Sequence, residues 1–267
     1  MITVDTAIKI VTDNTEILPS KTVHFEESLG FCLAHDVYSD IDMPPFNRSA
    51  MDGYAVIAED TAKVPVELTV IENIAAGSVP KKKVLRGQAS KIMTGAAVPD
   101  GADAVIKFEE TEDLQSASQV KILKSVSRGS NISKQGEDMR VGQVVLSKNM
   151  LVRPQEIGIL ATVGKSFVEI FSTPTVGIIS TGNELVDVAS KPSLAQIRNS
   201  NSYSLAAQAR NLNAEVEIIG IVKDTKDDIS SAIRRGLQKD ILILSGGVSV
   251  GEYDLVCDVM KDLGIHI

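Results

Sequence analysis

The sequence predicts a chain of two architectures, a β-rich segment and a parallel α/β sheet, connected by a helical and extended linker. Two patterns carry that expectation. From Met43 to about Asp138 there are short apolar or alternating runs, such as Val66-Glu67-Leu68-Thr69-Val70-Ile71 and Ala104-Val105-Ile106-Lys107-Phe108, set between Gly, Pro and polar turns. Beyond Thr173-Pro174 strands alternate with helices, the signature of a doubly wound sheet. With 267 residues, 43% of them hydrophobic, the chain suits about two domains with real cores.

The elements follow in order. The opening stretch reads as a helix to about Asn14, with Ala7, Ile10 and Val11 on one face. A polar loop and the stretch Val23 to Tyr38 come next. Pro44-Pro45 stiffens the entry to the β-rich segment, and Asp52-Gly53 ahead of Tyr54-Ala55-Val56 signals a turn running into a strand. Glu109 to Gln119 has the polarity of a surface loop. Arg153-Pro154-Gln155-Glu156 starts a helix with proline in its first turn, expected to bury Ile157, Leu160 and Ala161 and to end at Gly164.

Three strand–helix units complete the chain. Thr175 to Ser180 leads to a helix capped by Asn201 and Ser202 and running to about Asn211. Val216 to Val222 leads to a helix from about Lys226 to Leu237, and Ile241 to Leu244 to one ending near Leu263. The strand ends, Ser180 to Glu184, Lys223-Asp224 and Ser245 to Gly251, then point at one crevice, where ligands collect in this class of sheet. A fourth strand is due where the chain stops, so the α/β domain is expected to be incomplete. The expected boundaries are 1–42 plus 139–172 for the linker domain, 43–138 for the β-rich domain and 173–267 for the α/β domain.

Composition narrows the function classes. No apolar run approaches the roughly 20 residues of a membrane span and Met1 to Ile10 lacks a signal-peptide pattern, so the expectation is no membrane and a cytoplasmic location. A net charge of −8 disfavours binding nucleic acid through its phosphates, and the short basic run Lys81-Lys82-Lys83 reads as a solvated turn. The 2 cysteines and 3 histidines are scattered, which argues against a disulfide framework, a zinc site or a histidine-centred catalytic pair.

Candidate chemistry sits in three places. Ser245-Gly246-Gly247-Val248-Ser249-Val250-Gly251 lies between strand and helix, where glycines let backbone amides approach an anion. It is not a Walker A loop, because Glu252-Tyr253 stands where Lys-Ser/Thr belongs. Its Gly247-Val248-Ser249-Val250-Gly251 also spells a hydrolase nucleophile elbow, but His266 follows too closely to supply the base. Glu184, Asp224 and Asp254 recur at consecutive strand ends and offer hard oxygens to Mg²⁺ or a similar divalent cation. Each also has a structural reading: Glu184 on a helix's first turn, Asp224 as a helix cap, Asp254 beside a helix dipole. Asp52, among small polar residues, is the third candidate, with an ordinary hairpin turn as its alternative.

Pro44 to Val56 is similar to the signature of the MoeA family, the molybdopterin molybdenumtransferases that include the E domain of gephyrin. Further matches lie in family order at Ile92 to Ala96 with Gly101 to Val105, Gly136-Glu137-Asp138, Ser180 to Leu185, Asn199 to Ser202 and Ser245 to Gly251. The resemblance implies a MogA-like α/β domain and insertion of molybdate into adenylylated molybdopterin with release of AMP. It implies Asp52, Glu184, Asp224 and Asp254 as catalytic groups, the last three with the metal. It places Ser49, Thr94, Gly95, Thr181, Gly182, Asn199, Ser245, Gly246, Gly247, Ser249 and Gly251 against substrate. It also implies a homodimer with composite sites and a molybdopterin adenylyltransferase as upstream partner. A scaffold or molybdopterin-binding module without catalysis is the alternative.

Overall fold

The computed structural model describes residues 2–114, 118–246 and 255–265. It divides into two compact units: Asp36–Leu146, and Met1–His35 together with Ser147–Ile267.

The unit Asp36–Leu146 is built on a six-stranded sheet in the order Ala104–Lys107, Gly53–Val56, Gln88–Ile92, Val66–Ile74, Gln119–Ile122, Thr111–Asp113. Its strands pack on both faces. Tyr54, Val56, Leu68, Ala89, Ala104, Ile106, Val120 and Ile122 form one core, and Ala55, Ile74, Ile92, Ala96 and Val105 the other. Every residue of Gly53–Val56 is therefore buried, which is why that strand is continuously apolar rather than alternating. Tyr54 Oη donates to Asp113 Oδ1 at 2.5 Å, tying the second strand to the sixth. One pairing is parallel, Val66–Ile74 with Gln88–Ile92, and residues 75–87 supply the crossover it requires.

In the other unit, the helix Val4–Asp13 has an N-cap at Thr3 and buries no residue. Ser20–His24 pairs antiparallel with Phe167–Phe171. The helix Pro154–Thr162 buries Leu160 as expected, but Ala161 is exposed and the second buried residue is Glu156. Residues four apart share a face, so Glu156 lies beneath Leu160 while Ala161 lies about 100° round the helix. Glu156 is tolerated inside because Arg153 donates from its backbone N–H to Oε2 at 2.9 Å and from Nη2 to Oε1 at 2.8 Å.

The remainder is a parallel sheet ordered Glu215–Val222, Thr175–Thr181, Ile241–Ser245, with the first strand of the three in the middle. Helix Asn201–Asn211 covers one face through Ala206, which packs with Val176 and Ile178. Helices Lys226–Gly236 and Leu255–Asp262 cover the other, with Ile229, Ile233, Val256 and Val259 around Ile179 and Val222. This is the doubly wound arrangement, and it places the carboxyl ends of all three strands on one rim.

Candidate functional site

In the β unit the segment around Asp52 is a turn locked by its own backbone. Ser49 N–H donates to Ala96 O at 2.9 Å, and Gly95 N–H returns a bond to Ser49 O at 2.8 Å. The Ser49 side chain is buried and donates to Met51 O at 2.5 Å, so it shapes the turn rather than facing solvent. Gly53 sits so close to the neighbouring strand that a Cβ there would overlap the Ile106 carbonyl oxygen. Asp52 precedes it on the surface, where its Oδ1 accepts from Thr94 N–H at 2.7 Å and from Thr94 Oγ1 at 2.8 Å. Gly95, with φ of +82°, makes the turn that aims both donors at the carboxylate.

These bonds hold the Asp52 carboxyl below the usual carboxylate range, the Thr94 backbone N–H contributing most and the hydroxyl next. A carboxylate so stabilised is a poor proton acceptor at neutral pH and a good fixed negative charge. Its chemistry is to orient donors or a cation.

In the α/β part, the strand ends converge as the sequence suggests. Asn183 N–H donates to Asp224 Oδ2 at 3.2 Å, and Asp224 N–H donates back to Asn183 Oδ1 at 3.4 Å, so the first two strand-end loops are clamped together. Asn201 Nδ2 reaches Ser245 Oγ at 3.2 Å, joining the third. Gly246, with φ of +98°, passes directly over Thr181: a Cβ there would lie 2.5 Å from the Thr181 carbonyl oxygen and 3.3 Å from its Oγ1. The Thr181 hydroxyl is buried and has no hydrogen-bond partner among the described residues. A buried hydroxyl without a partner carries a desolvation penalty that a ligand atom can relieve.

Glu184 lies in a turn, not on a helix, with its carboxylate folded against Gly182: a Cβ at that glycine would lie 2.6 Å from either oxygen. Asp224 does not cap the following helix; Thr225 does, accepting from Asp228 N–H at 3.3 Å. Asn199 is buried and its amide is engaged with Ser180 and Ser202. Ser180 and Ser202 share a 2.7 Å hydroxyl contact, so these three form a polar knot below the rim. Gly247, Ser249, Gly251 and Asp254 lie outside the described residues. Among the described residues no group of three or more His, Cys, Asp or Glu side chains is close enough to hold a metal ion.

Sequence reasoning did not single out Asn183 and read Asn201 only as a helix cap, whereas the N-cap position is Ser200 and these two asparagine side chains fasten the loops together. The signal available was positional, since asparagines at strand ends and helix starts bond readily to nearby backbone and side chains.

Residues 2–164 match the MoeA N-terminal region (domain I and II). The chain belongs to the MoeA family. Residues 177–266 match a probable molybdopterin binding domain, so the strand-end rim falls within that region. Molybdopterin molybdenumtransferases of Staphylococcus aureus are 39% identical over 97% of this chain, and those of Staphylococcus epidermidis 36% identical over all of it. The chain spans 63% and 64% of those relatives' own length. Crystal structures of the molybdopterin biosynthesis MoeA protein from Pyrococcus horikoshii superpose with TM-scores of 0.80 and 0.83, at 34% and 36% identity. They cover 98% and 91% of this chain, which spans 67% and 65% of theirs.

Proposed function

We propose that this MoeA-family chain acts in molybdenum cofactor biosynthesis, inserting molybdate into adenylylated molybdopterin and releasing AMP. The observation that carries the reading is the buried Thr181 hydroxyl beneath Gly246, unpartnered among the described residues, at a rim where the strand-end loops are fastened together. That arrangement suits an anionic ligand atom seated over a strand end. The phosphoanhydride must be cleaved: an oxygen of water or of molybdate forms the new P–O bond while the bridging P–O bond breaks and AMP leaves. Such chemistry depends on positioning and charge neutralisation and needs no covalent nucleophile.

Within this reading Thr181, Gly182, Ser245 and Gly246 hold the substrate's phosphate and pterin, and Asn199 acts indirectly by fixing the loop that carries Asn201. Gly247, Ser249 and Gly251, outside the described residues, are assigned to the same substrate by the family resemblance alone. Glu184 and Asp224, with Asp254, are the groups for Mg²⁺ or a similar divalent cation. The donor set fits: both described carboxylates offer hard oxygens, and Mg²⁺ keeps several waters, so few protein ligands suffice. When bound, the ion neutralises phosphate charge. Asp52, Thr94, Gly95 and Ser49 form a second surface in the β unit, with Asp52 a fixed charge that orients molybdate's cationic or protonated partners. Domain boundaries at 42/43, 138/139 and 172/173, a homodimer, and a molybdopterin adenylyltransferase as upstream partner belong to the same proposal.

The test compares wild type with Asp52→Ala and Thr181→Val in molybdenum insertion under saturating substrate, alongside direct binding of molybdopterin. Both variants should fall in rate by at least about tenfold, the loss expected when one oriented polar contact is removed. An unchanged rate in both overturns the site. Binding by the wild type without turnover transfers the chain to the non-catalytic molybdopterin-binding reading.

A further inference from the structure

We propose that one side of the β unit is a docking groove for an acidic segment of a partner protein. Two cavities carry it. One, of about 410 Å³, is lined by Val79, Lys81, Lys82, Lys83, Val98 and Asp100. The other, of about 690 Å³, is lined by Val98, Ala102, Arg128, Ile132 and Lys134 among others. Val98 lines both, so they adjoin, with Lys81, Lys82 and Lys83 on one side and Lys134 on the other; Arg128 there is paired with Asp103 at 3.6 Å, and Val98, Ala102 and Ile132 supply an apolar floor.

The lysine-bearing crossover is held from beneath. Val84 is buried, and its N–H donates to Asp100 O at 2.8 Å. The Glu72 carboxylate accepts the backbone N–H of Lys81 at 3.0 Å and of Lys82 at 3.1 Å, so the nearest acid is engaged with amides rather than with the ammonium groups. Lys82 Nζ turns back to Ile71 O at 2.8 Å, while Lys81 and Lys83 have no ion pair among the described residues. A fixed backbone presenting two uncompensated cations is preorganised for an anionic partner. It stands out against a chain of net charge −8.

The geometry points to a peptide rather than a nucleic acid. The floor of Val98, Ala102 and Ile132 suits an aliphatic side chain. Asp100 in the groove can accept a peptide N–H, a donor that a sugar–phosphate backbone lacks. The partner segment therefore carries acidic residues flanking an aliphatic one.

The probe is a short fluorescein-labelled peptide of alternating glutamate and valine, titrated with the 267-residue chain and read by anisotropy. Saturable binding is expected, weakened roughly tenfold by Lys81→Glu with Lys83→Glu and by raising salt from about 0.05 to about 0.3 M. Lys134→Glu, at the other end, should weaken it in the same direction. All three lysines are at the surface, so melting temperatures should not move. The proposal is overturned by absence of saturable binding or by equal binding to the double variant. Displacement of the peptide by anionic vesicles or single-stranded DNA at lower concentration also overturns it, reassigning the groove to lipid or nucleic acid.

Discussion

Gly53→Ala should unfold the β unit far more readily than its modest chemistry suggests. A Cβ at that position overlaps the Ile106 carbonyl oxygen and lies 3.1 Å from Lys107 Cα, and both obstacles are backbone of the adjacent strand. Relief requires Gly53–Val56 to part from Ala104–Lys107, disturbing the Gly53↔Lys107 end of the ladder. Overpacking costs about 1–3 kcal/mol and each ladder bond lost about 1 kcal/mol, giving roughly 2–4 kcal/mol in all. Gly95→Ala is the control, because nothing lies within 4 Å of a Cβ there and only its φ of +82° opposes substitution. That strain is about 1–2 kcal/mol. Urea unfolding followed by far-UV circular dichroism and tyrosine emission, Tyr54 being in the affected strand, separates the two. At about 2 kcal/mol per M, the midpoint should fall by roughly 1–2 M for Gly53→Ala and by less than about 1 M for Gly95→Ala. A Gly53→Ala midpoint at or above wild type refutes the close-approach reasoning, and with it the account of how Asp52 is positioned.

Thr225→Ala removes the N-cap of helix Lys226–Gly236 and should destabilise the α/β part by about 1 kcal/mol, measurable as a lower melting temperature; Thr225→Asn should restore most of it. Thr181→Val replaces a buried hydroxyl that has no partner among the described residues, so the fold should be unharmed or slightly stabilised while molybdopterin affinity falls; a drop in melting temperature with affinity intact argues that the hydroxyl is structural. Thr94 holds the Asp52 carboxyl low, Arg153 that of Glu156, Lys239 and then Arg235 that of Glu217, and Thr175 that of Asp240. Depressed folded values contribute stability that is present above the ordinary values of 3.8 for Asp and 4.5 for Glu and is lost as pH falls through the lower folded ones. Melting temperature should therefore be insensitive to these groups between pH 7 and about pH 5 and decline on further acidification, most gently in Asp240→Asn and Glu217→Gln variants. A steep decline already above pH 5.5 that those variants abolish contradicts this ordering.

The α/β part was the most readable from sequence, because period and punctuation agree there. Strands expected at Thr175, Val216 and Ile241 stand at Thr175–Thr181, Glu215–Val222 and Ile241–Ser245, and the helix expected from Lys226 starts there. Local pattern suffices when each strand is followed by the helix that covers it. The β unit was legible as a class but not as a sheet: nothing in Val66–Ile74 announces that its neighbour Gln88–Ile92 runs parallel, since register depends on contacts between distant residues. The first helix shows another limit. Its periodicity predicts an apolar face, and that face is present, yet no residue of the helix is buried. At the candidate site, motif residues such as Asp52 and Thr94 proved to be bonded to each other, which spacing of more than forty positions could not reveal. Glu156 shows the same limit: the sequence places it at a helix start, and only the structure shows it buried against Arg153 three positions earlier.

The unit Asp36–Leu146 begins and ends on paired strands, Val37–Tyr38 with Val144–Leu146, while just outside it Leu33 N–H donates to Met150 O and Cys32 bridges Leu151. Each unit thus pairs its own two connecting segments close to the boundary. A cassette whose two ends are neighbours can be lifted out by splicing a few residues across the gap, leaving the host's own pairings in place, or exchanged for a counterpart cut at the same rungs. That makes this junction the natural point at which to dissect the chain.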